Sequence, residues 1–369
     1  MTRRMRRGGL LGRTARVAAA ATVGTLAAGV TTAIVTAPAQ AASEPVVGIS
    51  VYDMSGFETT SKPGMVAEAK ALGLKLEWDS ANLDVTTQVT QLRTFVSEHV
   101  AAIILDPINA TSGDSVIPLI KAAHIPLVLT NCALFKPGSN PDPTSLAATI
   151  GNEPEVASYE GPNDFGAGYN EMMALGTAMH GKGNIVELQG PLGQTPELMR
   201  TAGIAAALRK FPGIHLLTAQ TANWVRDQAY TVMSGFWSAF GTKINGVVAE
   251  NDDMAIGANS VLAAKGEEYK IPVVGIDGIQ DGMLAVKSGA EVESNLQDGM
   301  IEQGEAVWVA DRIIHHQSYP KYAVYNMVKL TKSNVQHYYN QMYKNLPGFL
   351  KQLPSIIAHD MAAGHYSAQ

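Results

Sequence analysis

Residues 244–251 read INGVVAEN and residues 271–277 read IPVVGID, with a helix-patterned stretch between them. The same order occurs earlier, where VAAIILD at 100–106 is followed by a helix-patterned stretch and then by IPLVLTN at 125–131. Each run is short, apolar and rich in β-formers, and the polar ends lie 25 residues apart in the first copy and 26 in the second. Alternation of such runs with helices is typical of parallel βαβ units. The duplication therefore predicts two similar α/β lobes that face each other across a cleft.

The alternation continues along the chain from residue 45 onward. Residues 85–96 carry apolar side chains at helical spacing and are expected to cover one face of a sheet, with Gln88 and Gln91 on the opposite side of the helix. The apolar runs predict nine strands, at 46–51, 74–78, 100–105, 125–130, 185–188, 214–218, 244–249, 271–276 and 292–296.

Polar residues end the four duplicated runs. In an open parallel sheet, the carboxyl ends of the strands border the ligand crevice. This predicts four residues around the cleft: Asp106, Asn131, Asn251 and Asp277. Asp and Asn at strand ends also cap the helices that follow, and that alternative stays open for all four. Asp252, just before an apolar helix, is expected to be such a cap.

The first 41 residues have the order of a secretory signal peptide. Residues 1–16 carry six arginines and no acidic residue, residues 17–36 are uncharged, and Ala39-Gln40-Ala41 supplies small residues for cleavage. An uncleaved membrane anchor is the alternative, because the uncharged stretch is about as long as a spanning helix needs. The paired arginines also leave twin-arginine export open beside the general secretory route. The mature chain is expected in the periplasm, the cell envelope or the medium.

Charge and composition limit the classes of function. The chain has 369 residues, of which 46% are hydrophobic and 16% charged, which indicates a globular protein long enough for two domains. Cleavage near Ala41 removes six positive charges and changes the formal net charge from −6 to −12. A nucleic-acid partner is therefore not expected, since phosphate contacts need a basic surface. Cys132 is the only cysteine, so neither an internal disulfide nor a lipid anchor at the cleavage point is expected.

Several segments in order resemble the periplasmic sugar-binding proteins of the ribose-binding type, which are the soluble receptors of ABC importers. The resemblance covers residues 46 to about 332, and its segments are VGIS at 47–50, NIVELQG at 184–190, NDDMAIGA at 251–258 and VVGIDG at 273–278. It implies the type I periplasmic binding fold, an α/β fold of two Rossmann-like lobes whose parallel sheets are joined by hinge strands. A helical C-terminal tail follows.

The resemblance also implies where the lobes begin and end. Residues 159–166 resemble the first crossover between lobes, with Asn163 at a polar hinge-side position. Lobes joined by such strands close by rotation, which hides the ligand from water. The expected parts are a signal peptide at 1–41, lobe I at 45–161 with 298–324, lobe II at 162–297 with about 325–332, and a C-terminal extension at 333–369.

A set of ligand-binding residues follows from the resemblance. Arg200 matches the arginine that donates a fork of hydrogen bonds to the ring oxygen and hydroxyls of a sugar, as suits the fixed donors of a guanidinium. Asn251, Asp277 and Gln297 match second-lobe positions whose amides and carboxylate bond to hydroxyls. A wrong epimer leaves one of these buried groups unpaired, so each bond selects stereochemistry.

Aromatic and loop residues complete the candidate site. Phe57 and Trp224 match positions whose rings stack on the sugar in this family, and core packing is the alternative for each. Asp53 and Tyr52 lie in the matching loop but depart from the family's asparagine and apolar pattern, so only Asp53 is listed, as a candidate. Asn163 is carried over from the crossover.

The chain departs from the family after residues 125–129. Ribose-type binders carry an acidic residue and then arginine there, and this chain has Asn131-Cys132. A neutral amide and a thiol remove strong charge-assisted bonds to hydroxyls. Ribose is therefore put in doubt, and another pentose, a hexose, a polyol, a deoxy-sugar or a non-sugar ligand becomes plausible. Burial of Cys132 as a small hydrophobe is the alternative to pocket contact.

Motifs of catalysis and of cofactor binding are not found in the sequence. No Gly-x-Ser-x-Gly elbow and no phosphate loop ending in Gly-Lys-Ser/Thr occurs, and no histidine pair has metal spacing with acidic partners. The loop GPLG at 190–193 lacks the glycine triplet of a dinucleotide site. Neither a cofactor nor a metal site is expected, and no enzymatic activity, although Asp53, Asp106 and Asp277 could serve a sugar-modifying enzyme.

The expected function is capture of a monosaccharide or related polyol by a monomeric exported protein, followed by delivery to an ABC transporter permease. The alternatives are a ligand-sensing receptor with a signalling partner and a binder of a non-sugar polar ligand. Residues beyond about 332 are expected to be helical and aromatic, and either to strap the back of the lobes or to contact a partner.

Overall fold

A computed structural model describes residues 44–112, 115–135 and 156–364. These residues belong to one compact unit that begins at Glu44, and the predicted signal peptide lies outside them. No helix in this part of the chain combines the length and the apolar character needed to cross a membrane.

The described residues form twelve strands. They are β1 Val46–Val51, β2 Lys75–Ser80, β3 Ala102–Leu105, β4 Leu127–Thr130, β5 Val156–Pro162, β6 Lys182–Gln189, β7 Gly213–Thr221, β8 Gly246–Ala249, β9 Val273–Asp277, β10 Glu293–Leu296, β11 Tyr322–Tyr325 and β12 Val328–Leu330.

Eleven α-helices lie in the same described ranges. They are α1 Gly56–Leu72, α2 Val85–Glu98, α3 Ile117–Ala122, α4 Asp164–Ala178, α5 Thr195–Leu208, α6 Arg226–Phe240, α7 Asp252–Ala264, α8 Gln280–Ser288, α9 Gly299–Ile314, α10 Val335–Tyr339 and α11 Leu346–Ala363. A 3-10 turn, Gly241–Lys243, and a π-helical turn, Asn340–Lys344, occur as well.

The strands form two sheets with the same design. The first lobe has the order β11-β5-β4-β3-β1-β2, with every pair parallel. The second has the order β12-β10-β9-β8-β6-β7, parallel except for β12 against β10. The duplicated sequences form β3-α3-β4 in one sheet and β8-α7-β9 in the other. The predicted α/β fold of two lobes is confirmed.

Each of the nine predicted strands overlaps an observed one, with ends displaced by up to three residues. The prediction extended two strands back to Ile125-Pro126 and Ile271-Pro272, whereas β4 and β9 begin after the prolines. Proline has no backbone N–H for the ladder. Strands β5, β11 and β12 were not among the nine, because they carry weak apolar patterns and form where the chain crosses between lobes.

The prediction that Gln88 faces away from the sheet on α2 is wrong. Gln88 is fully buried: its Nε2 donates to the Asp106 carbonyl at 2.9 Å and its Oε1 accepts from Ile108 N at 3.1 Å. These backbone groups follow β3 and have left the ladder, so the amide supplies the partners that buried backbone requires. Val85, expected on the apolar side, is 38% exposed.

Three crossovers join the lobes: between β5 and α4, between β10 and α9, and between β11 and β12. Asn163 lies on the first and contacts the third. Its N donates to Tyr325 O at 2.7 Å, its Nδ2 donates to Asn326 Oδ1 at 2.9 Å, and its Oδ1 accepts from Gly166 N at 2.9 Å to cap α4. One asparagine therefore links two crossovers of the hinge.

The C-terminal segment packs against both lobes. In α11, apolar side chains recur every four residues and are buried on the core shared by α1 and α9: Phe349, Leu353, Ile357 and Met361. Earlier in the segment, Tyr343 OH donates to Gly278 O of the second lobe at 3.0 Å. The tail therefore straps the two lobes, which is one of the two roles expected for it.

Candidate ligand-binding site

A small, partly open cavity lies between the lobes and has about 230 Å³ of space not filled by atoms, including space open to solvent. Every residue that lines it is buried, so the lobes are in their closed arrangement. The lining residues are Tyr52, Phe57, Asn131, Pro196, Arg200, Trp224, Asn251, Asp277 and Gln297. Seven of the ten predicted ligand residues are in this set: Phe57, Asn131, Arg200, Trp224, Asn251, Asp277 and Gln297.

Strand ends bring most of these side chains together. Asn131 follows β4 in the first sheet, and Asn251, Asp277 and Gln297 follow or end β8, β9 and β10 in the second. The carboxyl ends of both parallel sheets therefore face the same space, which is the usual place of ligands in open α/β sheets. Arg200 reaches it from the first half of α5.

Three cavity residues other than glycine have left-handed backbone conformations. The φ angles are 55° for Asn131, 63° for Trp224 and 119° for Asp277. Such conformations are strained for residues with a Cβ and persist where the surroundings hold them, most often at functional sites. The concentration of strain around one cavity supports a functional role for it.

Arg200 donates from each of its three guanidinium nitrogens to a buried partner. Nε donates to Asp164 Oδ1 at 2.8 Å, Nη1 to the Glu250 carbonyl at 2.6 Å, and Nη2 to Gln297 Oε1 at 2.8 Å. Asp277 Oδ1 lies 3.6 Å from Nη1. Arg200 is 3% exposed and is the only lysine or arginine buried within the described ranges.

Electrostatics keep this guanidinium charged. Burial lowers the pKa of Arg200, but the carboxylates of Asp164 and Asp277 raise it by more. Burial raises the pKa of Asp164 and Asp277, and the arginine opposes this shift in both. With one cation against two carboxyl groups, the cavity does not offer an uncompensated positive charge to an anionic ligand.

An amide chain connects the two lobes at the floor of the cavity. Gln297 Nε2 donates to Asn131 Oδ1 at 2.8 Å and to Glu302 Oε2 at 2.9 Å, and Asn131 Nδ2 donates to Asp106 Oδ2 at 2.9 Å. Asp106 is thus behind Asn131 rather than in the lining, contrary to the expectation that it borders the ligand. Burial raises the pKa of Asp106 to about 7, while hydrogen bonds from Cys132 and Asn131 lower it.

Aromatic rings form the apolar part of the lining. Trp224 is held by its Nε1, which donates to Gln194 Oε1 at 2.6 Å, and the Arg200 guanidinium lies 5.3 Å from the ring centroid. A Cβ on Gly190 would stand 2.0 Å from Trp224 Cζ2, so the ring needs glycine there. Tyr52 and Phe57 line the cavity from the first lobe.

Asn251 satisfies both interpretations of a polar strand end. Its Oδ1 accepts from Met254 N at 2.9 Å as the cap of α7, and the residue also lines the cavity. Asp252 is not the cap that was expected. It is fully buried, and its oxygens accept from Ile279 N at 3.1 Å and Ser294 Oγ at 2.7 Å, which ties α7 to the loop after β9 and to strand β10.

The remaining candidates lie outside the cavity. Asp53 faces the mouth of the cleft, where its Oδ1 accepts from Ser55 N at 2.8 Å. Asn163 belongs to the hinge, since its side chain is used on Gly166 and Asn326. Cys132 is buried, and its N donates to Asp106 Oδ1 at 3.3 Å.

Sequence reasoning placed Tyr52 in the matching loop but did not list it as a ligand residue, and it missed Pro196 in the lining and Gln194 behind it. Tyr52 directly follows β1, so the strand-end argument that found Asn131 could have found it too. Pro196 and Gln194 precede or begin α5, and nothing in the sequence shows which lobe they meet. Within the residues that the structure describes, no group of three or more His, Cys, Asp or Glu is placed to hold a metal ion.

Comparisons with known proteins find relatives over most of the chain. The family model of the periplasmic binding protein domain matches residues 47–318. The chain is 38% identical to a xylitol-binding protein of Mycolicibacterium smegmatis over 342 residues, which is 92% of this chain and 93% of that protein. It is 30% identical to a putative rhizopine-binding protein of Rhizobium meliloti, with 74% and 84% covered.

A solved structure shares the architecture. An ABC transporter solute-binding protein from Bacillus halodurans with bound myo-inositol matches with a TM-score of 0.72 and 26% identity, covering 80% of this chain and 97% of that one. Every residue of the cavity lining lies within residues 47–318, the range that the family model matches.

Proposed function

The chain belongs to the periplasmic binding protein family, and on that premise we propose that it is an exported solute-binding protein that captures a small polyol or monosaccharide and delivers it to an ABC importer. One observation carries the proposal: a closed interlobe cavity combines aromatic rings with amide, carboxyl and guanidinium groups. Such a lining suits a ligand with apolar faces and many hydroxyls.

Charge narrows the class of ligand. The lining has one guanidinium, which is already opposed by Asp164 and Asp277 at 2.8 and 3.6 Å, and three neutral amides. An anionic ligand such as a sugar phosphate would be buried without a free cation, which costs several kcal/mol. A neutral polyhydroxylated ligand fits this charge balance.

The relatives favour polyols within that class. The relative with 38% identity is named as a xylitol-binding protein, and the solved structure with 26% identity holds myo-inositol. Five- and six-carbon polyols, acyclic or cyclic, are therefore the first ligands to test, ahead of ribose.

Thermal unfolding of the mature chain tests the proposal. Xylitol, arabinitol, myo-inositol, ribose, xylose, a sugar phosphate and neutral amino acids form the panel, and calorimetry then measures the dissociation constant of each hit. A ligand at about 100 times its dissociation constant adds about 2.7 kcal/mol of stability. A selective shift with a neutral polyol or sugar is expected. No shift with any of these, or a shift only with the phosphate, contradicts the proposal.

The partner is a separate part of the proposal. Uptake of labelled ligand by cells lacking this chain should be lost if the protein serves an ABC importer. Normal uptake together with loss of a transcriptional response to the ligand would favour the sensing alternative instead. Recovery of unchanged ligand after incubation is expected of a binding protein, and conversion of the ligand would contradict it.

A further inference from the structure

Two residues outside the cavity lining, Gln194 and Thr195, connect the lobes in the closed state. We propose that they set ligand affinity without touching the ligand: together they form an interlobe latch, and Gln194 also positions Trp224. The proposal rests on the proposed function, since it assigns a role in closure around the same ligand.

Gln194 has one partner in each lobe. Its Oε1 accepts from Trp224 Nε1 at 2.6 Å within the second lobe, and its Nε2 donates to the Pro107 carbonyl of the first lobe at 3.2 Å. The side chain is fully buried. Because a tryptophan N–H is only a donor and a carbonyl only an acceptor, the two partners fix the amide in one orientation. The aromatic wall is thereby linked to the facing lobe.

Thr195 and Gly193 extend the contact on either side of Gln194. Thr195 Oγ1 accepts from Ala133 N at 2.7 Å, and Gly193 O accepts from Ala110 N at 3.2 Å. Ala133 and Thr195 are both buried, at 0% and 1% exposure. Three consecutive residues of the second lobe thus satisfy backbone groups in the first-lobe loops that follow β3 and β4.

The other edge of the cleft holds a different kind of contact. There Gly56 N donates to Asp253 Oδ2 at 3.0 Å, and Asp253 also pairs with Arg226 at the surface. Arg226 is 39% exposed, so water competes for these groups. Loss of a partner at this rim leaves a part-buried donor, whereas loss at the latch leaves a fully buried one.

The latch acts only in the closed state. When the lobes separate, water can satisfy Ala133 N and the Pro107 carbonyl, so removing Thr195 Oγ1 or the Gln194 amide costs little there. On closure the same groups become buried without a partner, and an unsatisfied buried donor destabilises that state. The closed state then becomes less favourable relative to the open state, and the ligand is released faster. Most affinity changes of this kind appear in the release rate.

Isosteric variants separate the latch from general destabilisation. Thr195→Val removes the acceptor of Ala133 N, Thr195→Ser keeps it, and Thr177→Val removes a hydroxyl of the same lobe that bonds only Met173 O within α4. Stopped-flow release of a panel ligand should be about tenfold faster for Thr195→Val, the change expected for one unsatisfied buried group. Thr195→Ser and Thr177→Val should stay within about twofold of wild type.

The role of Gln194 in positioning Trp224 can be measured by NMR in the absence of ligand. Gln194→Met should move the indole ¹⁵N–¹H resonance of Trp224, assigned with Trp224→Phe, and Thr195→Val should leave it in place. If no panel ligand binds wild type, the proposed function fails while this resonance still decides the role of Gln194.

Two results would overturn the proposal. One is an unmoved indole resonance in Gln194→Met. The other is equal release rates in Thr195→Val and Thr177→Val, or a Thr195→Ser variant as fast as Thr195→Val.

Discussion

Replacement of Arg200 by lysine tests the centre of the cavity. Lysine keeps the positive charge but offers one compact ammonium in place of a planar fork. In the structure, the fork spans Asp164, the Glu250 carbonyl and Gln297, at 2.8, 2.6 and 2.8 Å. An ammonium that stays beside Asp164 leaves the other two acceptors without this donor.

The magnitude follows from those lost bonds. Each buried acceptor left unsatisfied costs about 1–3 kcal/mol, so the free energy of unfolding should fall by at least about 2 kcal/mol. Ligand affinity should fall as well, by at least about 2 kcal/mol or roughly thirtyfold, because the guanidinium lies in the lining and orients Gln297. Arg200→Ala should cost more, about 3–5 kcal/mol of stability, since it strands buried carboxylates.

Urea unfolding and titration calorimetry measure the two effects. Ile204→Val, a change at a buried position of the same helix, is the matched control, because it costs about 0.5–1.5 kcal/mol of stability and lies outside the cavity lining. The control should bind as wild type does. If Arg200→Lys loses stability but keeps wild-type affinity, the arginine is only structural; if both quantities stay unchanged, the fork is not needed at all.

Trp224→Ala should weaken ligand binding more than Trp224→Phe does, because phenylalanine keeps a ring that is worth about 0.5–1.5 kcal/mol in stacking; equal affinity of Trp224→Ala and wild type in calorimetry would show that the ring does not face the ligand. Glu160 is fully buried, and burial raises its pKa to about 8 from 4.5, so the folded state keeps a proton that the unfolded chain loses as pH rises. Its contribution to stability is therefore present at pH 4.5 and lost towards pH 8, by at most about 1.4 kcal/mol per pH unit. Glu160→Gln should flatten the fall in unfolding free energy between pH 5 and 8, whereas the exposed change Asp227→Asn should not; parallel profiles for Glu160→Gln and wild type would refute the assignment.

The duplicated strand pattern was sufficient to predict the two-lobed fold, because parallel strands need near-continuous apolar runs that are visible in one sequence. Strand β5 was not predicted, since VASYEGP has few apolar residues and gains its place from β4 and β11 on either side. Strands at a crossover are defined by pairing across the chain, which local patterns do not record.

The site was predicted where side-chain type and strand end coincide, as for Asn131 and Asp277. Asp106 shows the limit of that argument. It follows a strand as expected, yet Asn131 lies between it and the cavity. Which of two polar side chains lies nearer to the cavity depends on how deeply each is packed. Sequence spacing does not record that depth. The prediction that Gln88 faces away from the sheet is wrong for a related reason, since its burial depends on backbone groups of a distant loop.

The choice of ligand and the lifetime of the closed state are expected to depend on different residues. Asn131, Trp224 and Asp277 line the cavity with positive-φ backbones, and we expect them to determine which ligand is accepted. Gln194 and Thr195 hold contacts between lobes, and we expect them to determine how long closure lasts. Because ligand contacts and latch contacts form in the same rotation, their free energies add in the closed state. Because Gln194 also positions Trp224, only Thr195 is expected to act on closure without acting on ligand choice.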